Sequence, residues 1–146
     1  MKKFTKLLIL MFITVVICIT AVGCNTKPKP VTGEKNITCE LVVNSGVATM
    51  TVRREGKDNE VFTCEIPLES VTVEDVLNDL ADATDFEYSV KKFVSDAFVQ
   101  SMMDILAVQK NKEYFAFYVD GKYALFGISQ TDIEADVKYE FILSMW

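Results

Sequence analysis

The chain has 146 residues, 15 basic and 21 acidic side chains, a net charge of −6 at pH 7, and no histidine. The missing histidine excludes Ser-His-Asp and Cys-His catalysis and removes the commonest zinc ligand. The acidic balance disfavours nucleic acid, whose phosphates need clustered Lys and Arg.

The N-terminus opens with Lys2, Lys3 and Lys6, followed by an uncharged apolar run from Leu7 to Ala21. A run of about 15 residues falls short of the roughly 20 that a spanning helix needs. It suits the apolar core of a signal peptide. Ala21 and Gly23 are small, and Ile19-Thr20-Ala21-Val22-Gly23-Cys24 reads as a bacterial lipoprotein cleavage site. Residues 1–23 are then the signal peptide, and Cys24 is the lipidated N-terminus of the mature chain. Losing the three signal lysines takes the net charge from −6 to −9. The protein is expected on the outer face of the cytoplasmic membrane, most naturally of a Gram-positive bacterium. Residues 24–36 are polar, with Lys27-Pro28-Lys29-Pro30 in their middle, and read as a flexible tether. Residues 37–146 form the domain.

Three alternating runs rich in Val, Thr and Ile come next: 37–43, 47–54 and 60–66. Asn44-Ser45-Gly46 and Gly56-Lys57-Asp58-Asn59 break them, so they read as strands joined by hairpin turns. Placing Met50 and Val52 on one face with Phe62 and Cys64 requires even positions to oppose even ones, as in pairing 52 with 62 and 50 with 64. Cys39 and Cys64 both face inward in this reading. A simple meander sets them two strand spacings apart, about 10 Å, against a disulfide limit near 7 Å between Cα atoms. A bridge requires the first strand to pair elsewhere. A Cys39–Cys64 disulfide and two buried thiols both stay open, and export permits the former.

Pro67 stops the third strand, and 71–83 reads as a helix with Val73, Val76, Leu77 and Leu80 on one face. Thr72 caps it, with Asp75 three residues on as a variant of the capping box. Asp75, Asp79 and Asp82 make a stripe better read as a solvated acidic face than as a cation site; no metal is expected. Residues 86–90 alternate as a short strand. Across 93–109, Val94, Phe98, Met102 and Leu106 recur every fourth residue, which favours a helix, although 98–102 can equally be extended.

The clearest hairpin follows. Residues 114–119 are aromatic and β-branched, Asp120-Gly121 is a type I′ turn signal, and 122–126 return. Alternation puts Tyr114, Ala116 and Tyr118 on one face and Phe115, Phe117 and Val119 on the other. Taking Phe115 and Phe117 as core leaves Tyr114, Tyr118 and Tyr123 as an exposed platform for a ligand or partner, the alternative being that strand packing buries both faces. The acids Asp132, Glu134 and Asp136 lie in a loop with no apolar pocket implied, so no enzyme is expected. Residues 137–143 alternate as a closing strand. Strands, one helix and strands again make an α+β domain with the helix packed on one sheet face.

The order of these segments resembles the transcobalamin-like C-terminal domain, a β-grasp module of unknown function common in lipoproteins of Gram-positive bacteria. The family's helix start is matched by Thr72, Val73, Asp75 and Leu77, and its middle segment by Phe98, Val99, Ser101, Met102 or Met103, and Asp104. Its hairpin is matched by Phe117-Tyr118-Val119-Asp120-Gly121, followed by Gly127, and Glu134-Ala135-Asp136 stands before the last strand. The similarity covers about residues 37–143. It implies a β-grasp-like fold, with a mixed or antiparallel sheet of about five to six strands, and makes 97–102 extended against the periodicity. Related domains in cobalamin carriers close over a corrinoid held by a separate helical barrel, which this chain lacks; cobalamin is a low-order ligand expectation, and no other cofactor is implied. The function expected is a non-catalytic module on a lipid anchor, binding a small ligand or an envelope protein. The alternative is a structural or adhesion module of a cell-envelope assembly.

Overall fold

The computed structural model describes residues 29–33 and 35–146. Cys24, the signal peptide and the first part of the tether lie outside the described residues. Among the described residues no helix is long and apolar enough to cross a membrane.

Among the described residues, ten strands and one α-helix are seen, the strands forming two antiparallel sheets. In chain order the strands are β1 (Lys29–Pro30), β2 (Ile37–Asn44), β3 (Val47–Arg54) and β4 (Glu60–Glu65). After helix α1 (Val73–Ala83) come β5 (Tyr88–Phe93), β6 (Asp96–Met102) and β7 (Ile105–Leu106). The last are β8 (Glu113–Val119), β9 (Lys122–Tyr123) and β10 (Lys138–Met145). The main sheet runs β4-β3-β2-β10-β8-β9, with β1 paired to the end of β10, and so has seven strands. The second sheet is β5-β6-β7. The fold is α+β, with more strands in two sheets than the single smaller sheet expected.

The hairpins form where alternation and turn residues place them. Asp120 and Gly121 both take positive φ, 47° and 75°, as a type I′ turn requires. In β3–β4, Met50 opposes Phe62 and Val52 opposes Glu60. That is a slip of two residues from the expected register, and an even slip keeps every side chain on its expected face. The tether is shorter than expected: β1 lies on β10 opposite Met145 and Ser144, and Val31 donates its N–H to the Leu143 carbonyl at 3.0 Å.

The N-terminal donors of α1 are all accounted for. Thr131 and Ile128 carbonyls accept from Val73 and Glu74, at 2.9 and 3.1 Å. The Thr72 hydroxyl accepts from Asp75 at 3.2 Å, and the Thr72 carbonyl from Val76 at 3.2 Å. The Asp75 carboxylate in turn accepts from the Thr72 N–H at 2.9 Å, closing the capping box. Replacing Thr72 with Ala is expected to cost about 1 kcal/mol, read as a lower urea midpoint at unchanged slope. The acidic stripe is partly consumed here: Asp75 serves the cap, and Asp79 accepts from the Ser70 hydroxyl at 2.6 Å.

The core lies between the inner face of the main sheet and two covers. Helix α1 contributes Val73, Val76, Leu77 and Leu80, all fully buried, and packs toward β4. The small sheet contributes Ala97, Val99 and Met102 and packs toward β8. The helix expected across 93–109 does not form; β6 is extended there, as the family resemblance implied. Among the described residues the core cluster draws on nothing before Val31.

Cys39 and Cys64 are free thiols. Strand β3 separates them, Cys39 opposing Val52 and Cys64 opposing Ala48, so the meander that forbids the bridge is the one formed. Burial pushes the Cys39 thiol up to about 12, despite the opposing effect of Arg54, so it stays protonated and unreactive at neutral pH.

Candidate functional site

The two sheets diverge along β8. Its inner edge is held by β10 over its full length, from Val119 opposite Tyr139 to Glu113 opposite Met145. Its outer edge is paired with β9 only at Tyr118 and Val119, and the Ala124 N–H adds one bond to the Phe117 carbonyl at 2.9 Å. The chain then turns away, and residues 124–128 cross to the small sheet instead of continuing the hairpin.

That crossing leaves an apolar cleft of about 360 Å³ between β8 and β6. Phe115, Phe117, Phe141 and Ile128 form its floor, and these are core residues, 9 % exposed or less. Ala97, Phe98 and Val99 of β6 make one wall. The rim is built from Tyr114, Tyr123, Leu125, Phe126 and Trp146. Most of this rim is open to solvent: Trp146 is 65 % exposed, Leu125 91 %, Phe126 58 %, and Phe98 on the wall 49 %. Large apolar side chains gathered around a concavity, not scattered singly, mark a binding surface.

The aromatic rings set the shape of the floor. Phe117 stacks on Phe141 with centroids 4.9 Å apart and ring planes 9° off parallel. On the rim Tyr114 tilts against Trp146 at 5.6 Å, and Tyr118 meets Tyr123 edge-on at 5.5 Å. Burial, with the Tyr123 and Tyr118 hydroxyls nearby, pushes Tyr114 up to about 12. Tyr118 moves the same way, through burial and Tyr123. These phenols are neutral at physiological pH, so the site offers apolar area and hydroxyls but no charge of its own.

The far side of the cleft is closed by Gly127. Its N–H donates to the Asp96 carboxylate at 2.6 Å, and the next residue, Ile128, donates to the Ala97 carbonyl at 3.1 Å. A Cβ at Gly127 would collide with that same carbonyl and carboxylate. This one glycine lets the loop lie flat on β6, and the loop makes the cleft's end.

The near side is fixed by Glu113. Its carboxylate is buried and accepts from Lys35 at 2.8 Å, from the Val108 N–H at 3.0 Å and from Asn111 at 3.3 Å. The Lys35 ammonium first, then the Val108 amide, hold this carboxyl below its ordinary value. Asp75 is also lowered: burial works against it, and the Thr72 and Val71 hydrogen bonds prevail. A carboxyl whose folded pKa is depressed stabilises the fold above its unfolded pKa. Both contributions are therefore complete at neutral pH and are lost as the pH falls from about 4.5 through the lower folded values. Urea midpoints measured from pH 7 to pH 3 should fall on the acid side, and Glu113→Gln should flatten part of that fall.

Of the three tyrosines expected as a platform, Tyr114 and Tyr123 reach the cleft, while Tyr118 supports Tyr123 from behind. Tyr114 and Tyr118 are half-buried; Tyr123 is 56 % exposed. Phe115 and Phe117 are core residues, the face chosen as core from the sequence, and also floor the site. Sequence reasoning missed Phe98, Leu125 and Trp146 as site residues. The acids Asp132, Glu134 and Asp136 lie outside the cleft. The Tyr139 hydroxyl pins their loop, accepting from the Glu134 N–H at 2.8 Å and donating to the Asp132 carbonyl at 3.1 Å. Comparison with known proteins adds no relative: no protein-family model matches the chain, and no curated protein matches it.

Proposed function

We propose that the chain is a lipoprotein held at the outer face of the cytoplasmic membrane through Cys24, and that its domain is a non-catalytic binding module of the β-grasp-like, transcobalamin C-terminal type. The observation that carries the binding reading is the apolar cleft between β8 and β6, rimmed by exposed Trp146, Leu125 and Phe126. A site lined by aromatic and aliphatic side chains takes an apolar ligand, small or part of an envelope protein, through buried area and shape. Residues behind the family resemblance support the assignment by their positions. Thr72 and Asp75 start α1, Asp120-Gly121 turns the hairpin beside the cleft, and Gly127 closes its end. A corrinoid would sit here by apolar and hydrogen-bond contact alone, since the chain has no histidine.

Thermal-shift measurements on residues 25–146 test this reading, with corrinoids, haem, free fatty acids and short apolar peptides as the panel. A ligand at about 100 times its dissociation constant stabilises by about 2.7 kcal/mol, a shift of several degrees. At least one class should produce it and should lose it in Phe98→Asp. A flat response across the panel, with an envelope protein recovered by cross-linking in cells, would favour the structural or adhesion role.

A further inference from the structure

The N-terminal segment joins the fold at one particular place. Lys29 enters beside Met145, and the next residue along the chain, Trp146, donates its N–H to the Lys112 carbonyl at 3.2 Å. Trp146 is also on the rim of the cleft. Lys29 follows Cys24 so closely in the chain that a lipid on Cys24 is at most about 18 Å of extended backbone from this end of the sheet. A lipid anchor at Cys24 would therefore hold the cleft's Tyr114–Trp146 end within that reach of the membrane.

Two lysines lie unpaired at this end: Lys110 and Lys112 are exposed beside Trp146, and neither forms an ion pair among the described residues. Glu113, the acid nearest them in sequence, is buried and held by Lys35. Lys27 and Lys29 lie in the stretch leading from Cys24. At the opposite end of the strands are Asp120, Asp132, Glu134 and Asp136, on the Lys138 and Val43 side. The anchor-side end also carries carboxylates: Glu55 accepts from the Gly33 N–H at 3.3 Å, and Asp104 pairs with Arg54 at 2.6 Å. Lys110, Lys112 and Trp146 therefore form a local basic and aromatic patch, not one pole of a charge separation. Tryptophan is favoured at the water–bilayer boundary, and each lysine near an anionic leaflet strengthens attachment about fivefold.

We propose that the end of the sheet carrying Trp146, Lys110 and Lys112 is a docking surface for an anionic phospholipid bilayer. Docking sets the mouth of the cleft against the outer leaflet, and the cleft's occupant is the hydrocarbon chain of a membrane lipid. This rests on the lipid anchor at Cys24 and deepens the binding reading by naming its ligand class.

Trp146 is the one tryptophan of the chain, so its fluorescence reports this surface alone. The lipidated protein, purified from membranes, is reconstituted into phosphatidylglycerol–phosphatidylcholine vesicles whose phosphatidylcholine is brominated at carbons 6 and 7. The protein should float with the vesicles, its emission should shift to the blue, and bromine should quench it by half or more. Lys110→Glu with Lys112→Glu, both on the exposed surface, should still float but lose at least half of that quenching. So should the parent protein in vesicles without phosphatidylglycerol. Flotation with emission unaffected by bromine places Trp146 in water or under a soluble partner, and overturns docking while leaving the anchor intact. Quenching that the double substitution does not change removes the role given to the lysines. Failure to float overturns the anchor, and docking with it.

Discussion

Phe141→Ala is expected to lower the stability of the domain by about 4 kcal/mol, in the range for deleting a buried aromatic ring. Phe141 is fully buried in the central strand β10, opposite Cys39 on one side and Phe117 on the other. Its ring lies under Phe117 at 4.9 Å, and the two form the floor of the cleft. Truncation leaves a void that neither neighbouring strand can close without moving the sheet. For a domain of this size the loss is a fall in melting temperature of about 15 °C. The same substitution should weaken any ligand, because the floor it rests on drops away. Phe141→Leu, which keeps most of the volume, should recover more than half of the stability. Calorimetry of the parent and the two variants checks the order; a Phe141→Ala protein melting at the same temperature as the parent would contradict the packing described.

Gly127→Val is the second large effect, about 3 kcal/mol, by over-packing instead of by a cavity. The added Cβ points at the Ala97 carbonyl and the Asp96 carboxylate, and a carbonyl in a paired strand cannot swing aside as a flexible side chain would. Relief requires the loop to lift, which breaks the Gly127–Asp96 and Ile128–Ala97 hydrogen bonds that hold the crossing loop to β6. Ligand binding should therefore fall by more than the stability loss alone explains. Hydrogen exchange at Ile128 gives a local readout: its protection should drop in the variant while that of β3 is retained. Unchanged protection at Ile128 would mean that the loop finds room in place.

The two substitutions bracket what the sequence made readable. The helix was legible because Val73, Val76, Leu77 and Leu80 are spaced for one face and all four are buried in the fold. The β8–β9 turn was legible because Asp120-Gly121 demands positive φ at both positions. Strand β6 was not, for a physical reason. The four-residue spacing of Val94, Phe98, Met102 and Leu106 suggested a buried helical face, yet three of these four are among the exposed large apolar residues. Only Met102 is in the core; the true inward set of β6 is Ala97, Val99 and Met102, two of them small and easily overlooked. Val94 occupies a turn with φ 45°, outside any helix.

The site was half readable for the same reason. Alternation along β8 separated Phe115 and Phe117, which floor the cleft, from Tyr114 and Tyr118, of which only Tyr114 lines it. It carried no information on where the chain goes after Tyr123. Residues 122–126 looked like a full returning strand, but pairing stops at Tyr123 and Leu125 and Phe126 leave the sheet to cross toward β6. Trp146 lies beyond the last paired residue, where pattern gives no face. The cleft is made by these departures from regularity, and periodicity is blind to them.

The proposed function rests most directly on the cleft beside Trp146 being a binding site. Energy transfer from this single tryptophan to 1-anilinonaphthalene-8-sulfonate, titrated onto native residues 25–146, measures that. The predicted result is a saturable, one-site loss of Trp146 emission with matching sensitised dye fluorescence, abolished by Phe98→Asp at a melting temperature within about 2 °C of the parent. Dye bound elsewhere without transfer, or transfer that Phe98→Asp leaves unchanged, would contradict it.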